Sequence, residues 1–133
     1  MFKTITIKTT KRTEFIDITR QVEEVIAKGK VQEGLCCLYV PHTTAGLTIN
    51  ESADPAVAQD MLASLNKLIP FEDNYRHLEG NSAAHIKASL VGLTLNIIID
   101  NKKPVLGTWQ GIYFCEFDGA RIRKVHLKVI NGG

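Results

Sequence analysis

Three stretches of this chain carry polar groups where apolar strands and turns would need none: PHTTAGLTINE (Pro41 to Glu51), HLEGNSAAHIK (His77 to Lys87) and LGTWQGIYFCEFDGAR (Leu106 to Arg121). Polar groups set among apolar ones cost free energy unless they are paired or used. Three of the four histidines lie in the first two stretches. His42 ends an apolar run, and His77 and His85 flank Gly80. Three neutral imidazoles with an open position would suit Zn2+ or another divalent metal of catalytic type, although the spacing is not HExxH. His126 alternates with Lys124 and Lys128 and reads as solvated.

A second set of groups suits anions. Asn81 and Ser82 stand at a helix start, where free backbone N–H groups favour negative ligands. Thr43 and Thr44 offer hydroxyls, Gly46 permits close backbone approach, and Lys87, Arg121 and Arg123 supply positive charge. Together they would hold phosphate or pyrophosphate. Among carboxylates, Glu51 ends an alternating strand and Glu116 sits between Cys115 and Phe117. Each is a candidate base or metal partner, or half of a structural ion pair. Trp109 and Gln110 are candidates for a pocket wall, although a single tryptophan is commonly core.

These residues must be positioned by a chain of 133 residues and 14.7 kDa, which suits one domain over 1–133. Net charge is +2, too small to argue for a nucleic-acid partner. No apolar run approaches the roughly 20 residues of a membrane span, and MFKTITIKTTKR has no secretory apolar region. Three cysteines without CxxC argue for a reducing compartment, so a cytoplasmic protein is expected.

Alternation marks strands over 2–10, 16–18 and 44–50, and Gly34 to Val40 is apolar enough to be covered on both faces. Thr19 is the expected cap of a helix over 20–28 that Gly29 stops. Asp54-Pro55 starts a second helix with Val57, Met61, Leu65 and Leu68 on one face, ended by Pro70. Residues 71–81 read as loop, followed by a short helix to about Leu90, a strand over 93–99 and a turn at 101–104. Thr108 to Phe117 and Arg121 to Ile130 are expected to form a hairpin across Asp118-Gly119. The total predicts an α+β fold, mainly antiparallel: a sandwich or jelly-roll-like pair of sheets with two or three short helices at one side.

Taken together, HTTAGLTINE with the following ADP (His42 to Pro55), YRHLEGNSAAHIKASLVG (Tyr75 to Gly92) and GTWQGIYFCEFDGAR (Gly107 to Arg121) resemble the YjbQ family over nearly the whole chain. One departure is Ala120, where members often have proline. The resemblance implies a β-rich sandwich, a homotrimer with sites near subunit boundaries, and a secondary thiamine-phosphate synthase activity. In that reaction hydroxymethylpyrimidine diphosphate joins thiazole phosphate and pyrophosphate leaves. It maps family motifs onto His42, Asn50, Glu51, His77, Gly80, Asn81, His85, Lys87, Trp109, Gln110, Gly111, Glu116 and Arg121.

The enzyme expectation assigns Glu51, His85 and Glu116 to catalysis and His42, His77 and His85 to a metal. It assigns Thr43, Thr44, Asn50, Asn81, Lys87, Trp109, Gln110 and Arg121 to a phosphorylated substrate, with Mg2+ accompanying a diphosphate. The alternative is a non-catalytic trimeric binding protein for a metal or a phosphorylated metabolite. A third reading is a structural trimer, with Glu116 paired to Arg121 across the hairpin.

Overall fold

Eight strands and three helices emerge from this pattern in the computed structural model, which describes residues 1–133. They are β1 (Phe2–Lys8), β2 (Glu14–Asp17), α1 (Thr19–Lys28), β3 (Gly34–Tyr39), β4 (Ala45–Glu51), α2 (Pro55–Leu68), α3 (Ser82–Val91), β5 (Thr94–Asp100), β6 (Lys103–Pro104), β7 (Gln110–Glu116) and β8 (Ile122–Asn131). One sheet has the order β1-β8-β3-β5-β6 and the other β2-β7-β4, with every pairing antiparallel.

The two sheets face each other across the main core. Ile7, Cys36, Leu38, Ile97, Ile99, Val125, Leu127 and Val129 come from the larger sheet, and Ala45, Leu47, Ile112 and Phe114 from the smaller. Val22 and Ile26 of α1 close one side. On the outer face of the smaller sheet, Tyr113 and Cys115 meet Ala84 and Ala88 of α3, with Ala58, Leu62 and Leu65 of α2 packed alongside. β7 therefore lies in the middle of three layers. Period-two alternation sends Ile112 and Phe114 to one core and Tyr113 and Cys115 to the other, so both faces are apolar.

The hairpin expectation is corrected here. β7 already has β2 on one edge and β4 on the other, so β8 pairs instead with β1 and β3 in the larger sheet. The turn at Asp118-Gly119 carries the chain from one sheet to the other. The α2 face is also rotated from expectation: Ala58, Leu62 and Leu65 meet the sheet, and Leu68 stays exposed.

Local signals work where they are complete. Asp54 accepts a hydrogen bond from the Ala56 N–H at 2.9 Å and Pro55 opens α2. Thr19 does not cap α1. It lies inside the helix, donates to Asp17 and accepts from the Ile112 N–H at 2.8 Å. Gly46 lets the end of α3 touch β4, because a Cβ there would stand 2.6 Å from the Gly92 carbonyl oxygen. No helix is long and apolar enough to cross a membrane.

Candidate functional site

The end of the sandwich where β3, β7 and α3 meet the sheet-switching turn is built around one ion pair. Glu116 leaves the last position of β7 pointing between the sheets, and Arg123 reaches it from β8 in the opposite sheet. The guanidinium forks onto the carboxylate, Nε to Oε1 at 2.8 Å and Nη2 to Oε2 at 2.5 Å. The Thr9 hydroxyl donates to Oε1 at 2.8 Å and the Asp118 N–H to Oε2 at 3.0 Å. All four lone-pair positions of the carboxylate are then taken, and the residue is 0% exposed. Burial pushes the Glu116 pKa up, but the Arg123 bonds, the Asp118 N–H and the Thr9 hydroxyl outweigh it and hold the group below the ordinary carboxylate value.

As placed, Glu116 has no free oxygen for a base and acts as the anchor of Arg123. Its arginine partner is Arg123, not Arg121. Arg121 instead donates from Nε to the Asp118 carbonyl at 2.7 Å and from Nη2 to Oδ2 at 3.1 Å.

Arg123 passes order on to the loop after β3: its Nη2 also donates to the Thr44 hydroxyl at 2.8 Å. That fixes Thr44 beside His42. The Lys124 backbone N–H donates to His42 Nε2 at 2.9 Å, so Nε2 is the acceptor nitrogen and Nδ1 carries the proton of the neutral ring. Burial first, then the Arg123 charge, lowers the His42 pKa. Across the cleft Asn81 precedes α3 and no side chain caps the helix. Its amide donates instead to Asp118 Oδ2 at 2.9 Å, leaving its own Oδ1 buried without a partner. His85 lies one helical turn further on, on the same face.

These groups line one cleft of about 550 Å3, walled by Tyr39, Pro41, His42, Thr43, Thr44, Glu79, Asn81, His85, Leu93, Arg121 and Arg123. Arg121 and Arg123 line it, each already paired with a carboxylate, Asp118 and Glu116; with the uncapped helix N-terminus and the threonine hydroxyls they supply hydrogen-bond donors for an anion rather than a net positive charge.

The three-histidine metal sphere does not fit this arrangement of one chain. Both ring nitrogens of His42 are committed, one to the Lys124 N–H and one to its own proton. His77 stands edge-on to His85 with ring centroids 5.6 Å apart, and its Nε2 lies 3.7 Å from Glu79 Oε2. No group of three or more histidine, cysteine or carboxylate side chains gathers within metal-binding reach.

The other expected site residues fall elsewhere. Lys87, two positions past His85, turns to the far side of α3 and donates to Asn66 Oδ1 at 2.7 Å. Asn50, Glu51, Trp109 and Gln110 sit together at the opposite end of the β4–β7 pair, where Glu51 faces Gln110 while Ala45 faces Glu116. Six strand steps separate the ends by about 20 Å. There Asn50 Oδ1 accepts from the Glu51 N–H at 2.8 Å and Gln110 Oε1 from the Gly107 N–H at 2.7 Å, while Trp109 is 63% exposed. His126 is half-buried between Thr4, whose hydroxyl lies 2.9 Å from Nδ1, and the edge of Phe2. Thr9 and Asp118, which hold Glu116 and Arg121 in place behind the cleft, escape sequence reasoning because only the crossing between sheets brings them to it.

Comparison with known proteins agrees with this architecture. The family model described as UPF0047 protein YjbQ-like matches residues 3–132. The UPF0047 protein YugU of Bacillus subtilis (strain 168) is 53% identical over 131 residues, covering 98% of this chain and 99% of that protein. A UPF0047 protein of Methanocaldococcus jannaschii is 56% identical over 124 residues, covering 93% and 90%. Among solved structures, an uncharacterized YjbQ/UPF0047 protein of Clostridium acetobutylicum superposes with a TM-score of 0.94 at 52% identity, covering 96% of this chain and 99% of that one. A YbjQ-like protein of unknown function from Sulfolobus solfataricus gives 0.95 at 29% identity, covering 99% and 97%.

Proposed function

The chain belongs to the YjbQ-like UPF0047 family, and from that premise we propose that it binds a phosphorylated small molecule in the Arg121–Arg123 cleft and acts on it as a transferase. The candidate reaction is the joining of hydroxymethylpyrimidine diphosphate to thiazole phosphate with release of pyrophosphate. One observation carries the reading: Arg121, Arg123, the uncapped start of α3 and the Thr43-Thr44 hydroxyls converge on one cleft. A departing pyrophosphate needs such preorganised donors where its own charge develops. His85, on the cleft wall, is the residue for proton transfer. Mg2+ in this reading arrives with the diphosphate, as part of the substrate.

The Trp109 end supplies the second half of the proposal. Glu51, Asn50, Trp109 and Gln110 lie about 20 Å from the arginines along one chain. In a homotrimer, a neighbouring copy presenting its Trp109 end would give the cleft a wall and the carboxylate of Glu51. The same separation favours a second reading, a binding protein without turnover, if the copies do not assemble in that way.

The experiment is calorimetric titration with inorganic pyrophosphate, alongside an assay of pyrophosphate release from the two named substrates. Binding that weakens by tenfold or so in Arg121→Ala, with turnover lost in a folded His85→Ala, supports the enzyme. Binding without product from the parent selects the binding protein. An Arg121→Ala that binds like the parent removes the anion site.

A further inference from the structure

Lys87 is 0% exposed, yet none of the three ion pairs in the molecule includes it. Lysines are almost never fully buried without a partner of opposite charge. Its one hydrogen bond goes to a neutral amide, Asn66, which in turn donates to the Thr13 hydroxyl at 3.1 Å. A second unpaired cation stands close by. Arg12 lies 3.6 Å from the ring centroid of Phe71 and Lys87 Nζ lies 4.3 Å from the same centroid. Burial and the Arg12 charge both push the Lys87 amine below its ordinary value. Two like charges thus share one aromatic ring, which offers each a cation–π contact but neutralises neither.

Phe71 belongs to a segment held loosely. Residues 70–80 make a single backbone hydrogen bond, Gly80 to His77, and it stays within the segment. The Tyr75 hydroxyl bonds back to Pro70 in the same way. Its contacts with the body include Phe71 on the two cations and His77 against His85, and Leu78, next to His77, is 101% exposed. Few backbone bonds and little buried apolar surface mark the regions that open first.

We propose that Arg12 and Lys87 form a second anion subsite that Phe71 caps, and that the 70–80 segment lifts to admit a phosphoryl group there. Asp118 links this subsite to the cleft, since it carries the Asn81 and Arg121 bonds and feels the Arg12 charge. The inference rests on the anion-binding reading of the cleft and extends it to a ligand with two phosphoryl groups.

Calorimetry with inorganic pyrophosphate on the full chain tests it. Removing the cap in Phe71→Ala should tighten binding by about tenfold, because the closed population no longer competes. Adding Lys87→Met should cancel that gain and weaken binding on the order of tenfold, while raising the melting temperature by removing a buried unpaired charge. Phe71→Leu, which keeps the apolar bulk without the ring, serves if Phe71→Ala does not fold. Parent binding that depends on Arg121 but is unmoved by Phe71 and Lys87 substitutions overturns this inference and leaves the cleft intact. Absence of pyrophosphate binding in the parent and all variants removes both.

Discussion

Glu116 has four hydrogen bonds and no solvent, so its replacement leaves Arg123 buried without its counter-charge. Breaking a buried pair from one side costs about 3–5 kcal/mol. Glu116→Gln should therefore lower the unfolding free energy by that order in urea titration, and loosen Thr44 with it. Because its folded pKa lies below the ordinary 4.5, its contribution is complete above that pH and is lost as the pH falls through the lower folded value. His42 gives a separate signature at milder pH. Its folded value lies below the ordinary 6.5, so the unfolded chain takes up the proton first on acidification. The stabilisation is full above 6.5 and declines below it. A melting-temperature series from about pH 7 to about pH 5 should slope downward in the parent and flatten in His42→Gln. Equal slopes in the two proteins would show that Lys124 does not depend on the unprotonated Nε2.

At the scale of elements, the contact between α3 and β4 rests on the absence of a side chain at Gly46. Gly46→Ala places a methyl 2.6 Å from the Gly92 carbonyl oxygen, against backbone that has no rotamer to yield. A loss of about 1–3 kcal/mol is expected from overpacking of this kind, together with displacement of His85 from the cleft, visible as weaker pyrophosphate binding. The elements themselves were largely legible. Asp54-Pro55 announces α2 because cap and first turn are neighbours in sequence; the apolar run Gly34 to Val40, expected to be covered on both faces, is covered on one only, and β3 leaves Leu35 and Tyr39 exposed on the other. The partners of the strands were not legible. A turn signal such as Asp118-Gly119 is local and carries no information that both edges of β7 are occupied, so the hairpin reading failed and with it the pairing of Glu116 to Arg121. Arg123 finds Glu116 only because its strand lies in the other sheet. Lys87 lies outside the cleft for a different reason. Two residues on a helix turn about 200°, so a chain that points His85 into the cleft points Lys87 out of it.

At the scale of the molecule, the outer face of the larger sheet leaves an apolar ladder uncovered. Leu35 stands opposite both Ile98 and Ile130 on the flanking strands, and all three are exposed. Apolar patches of this sort mark contact surfaces, which is consistent with the proposed homotrimer. Light scattering after size exclusion should give three times the 14.7 kDa chain mass, and Ile98→Lys should reduce it; a parent that runs as one chain at every concentration would remove the shared site. The place of β8, between β1 and β3, has a consequence for biosynthesis. Residues 2–8 leave the ribosome as a strand with no partner, and residues 34–39 find one on a single edge, in residues 94–100, until residues 122–131 have been made. Until then each presents an open edge to other chains. The strand that ends this exposure is also the one that carries Arg123, so the nascent chain acquires its ligand cleft and its protection from aggregation in the same event.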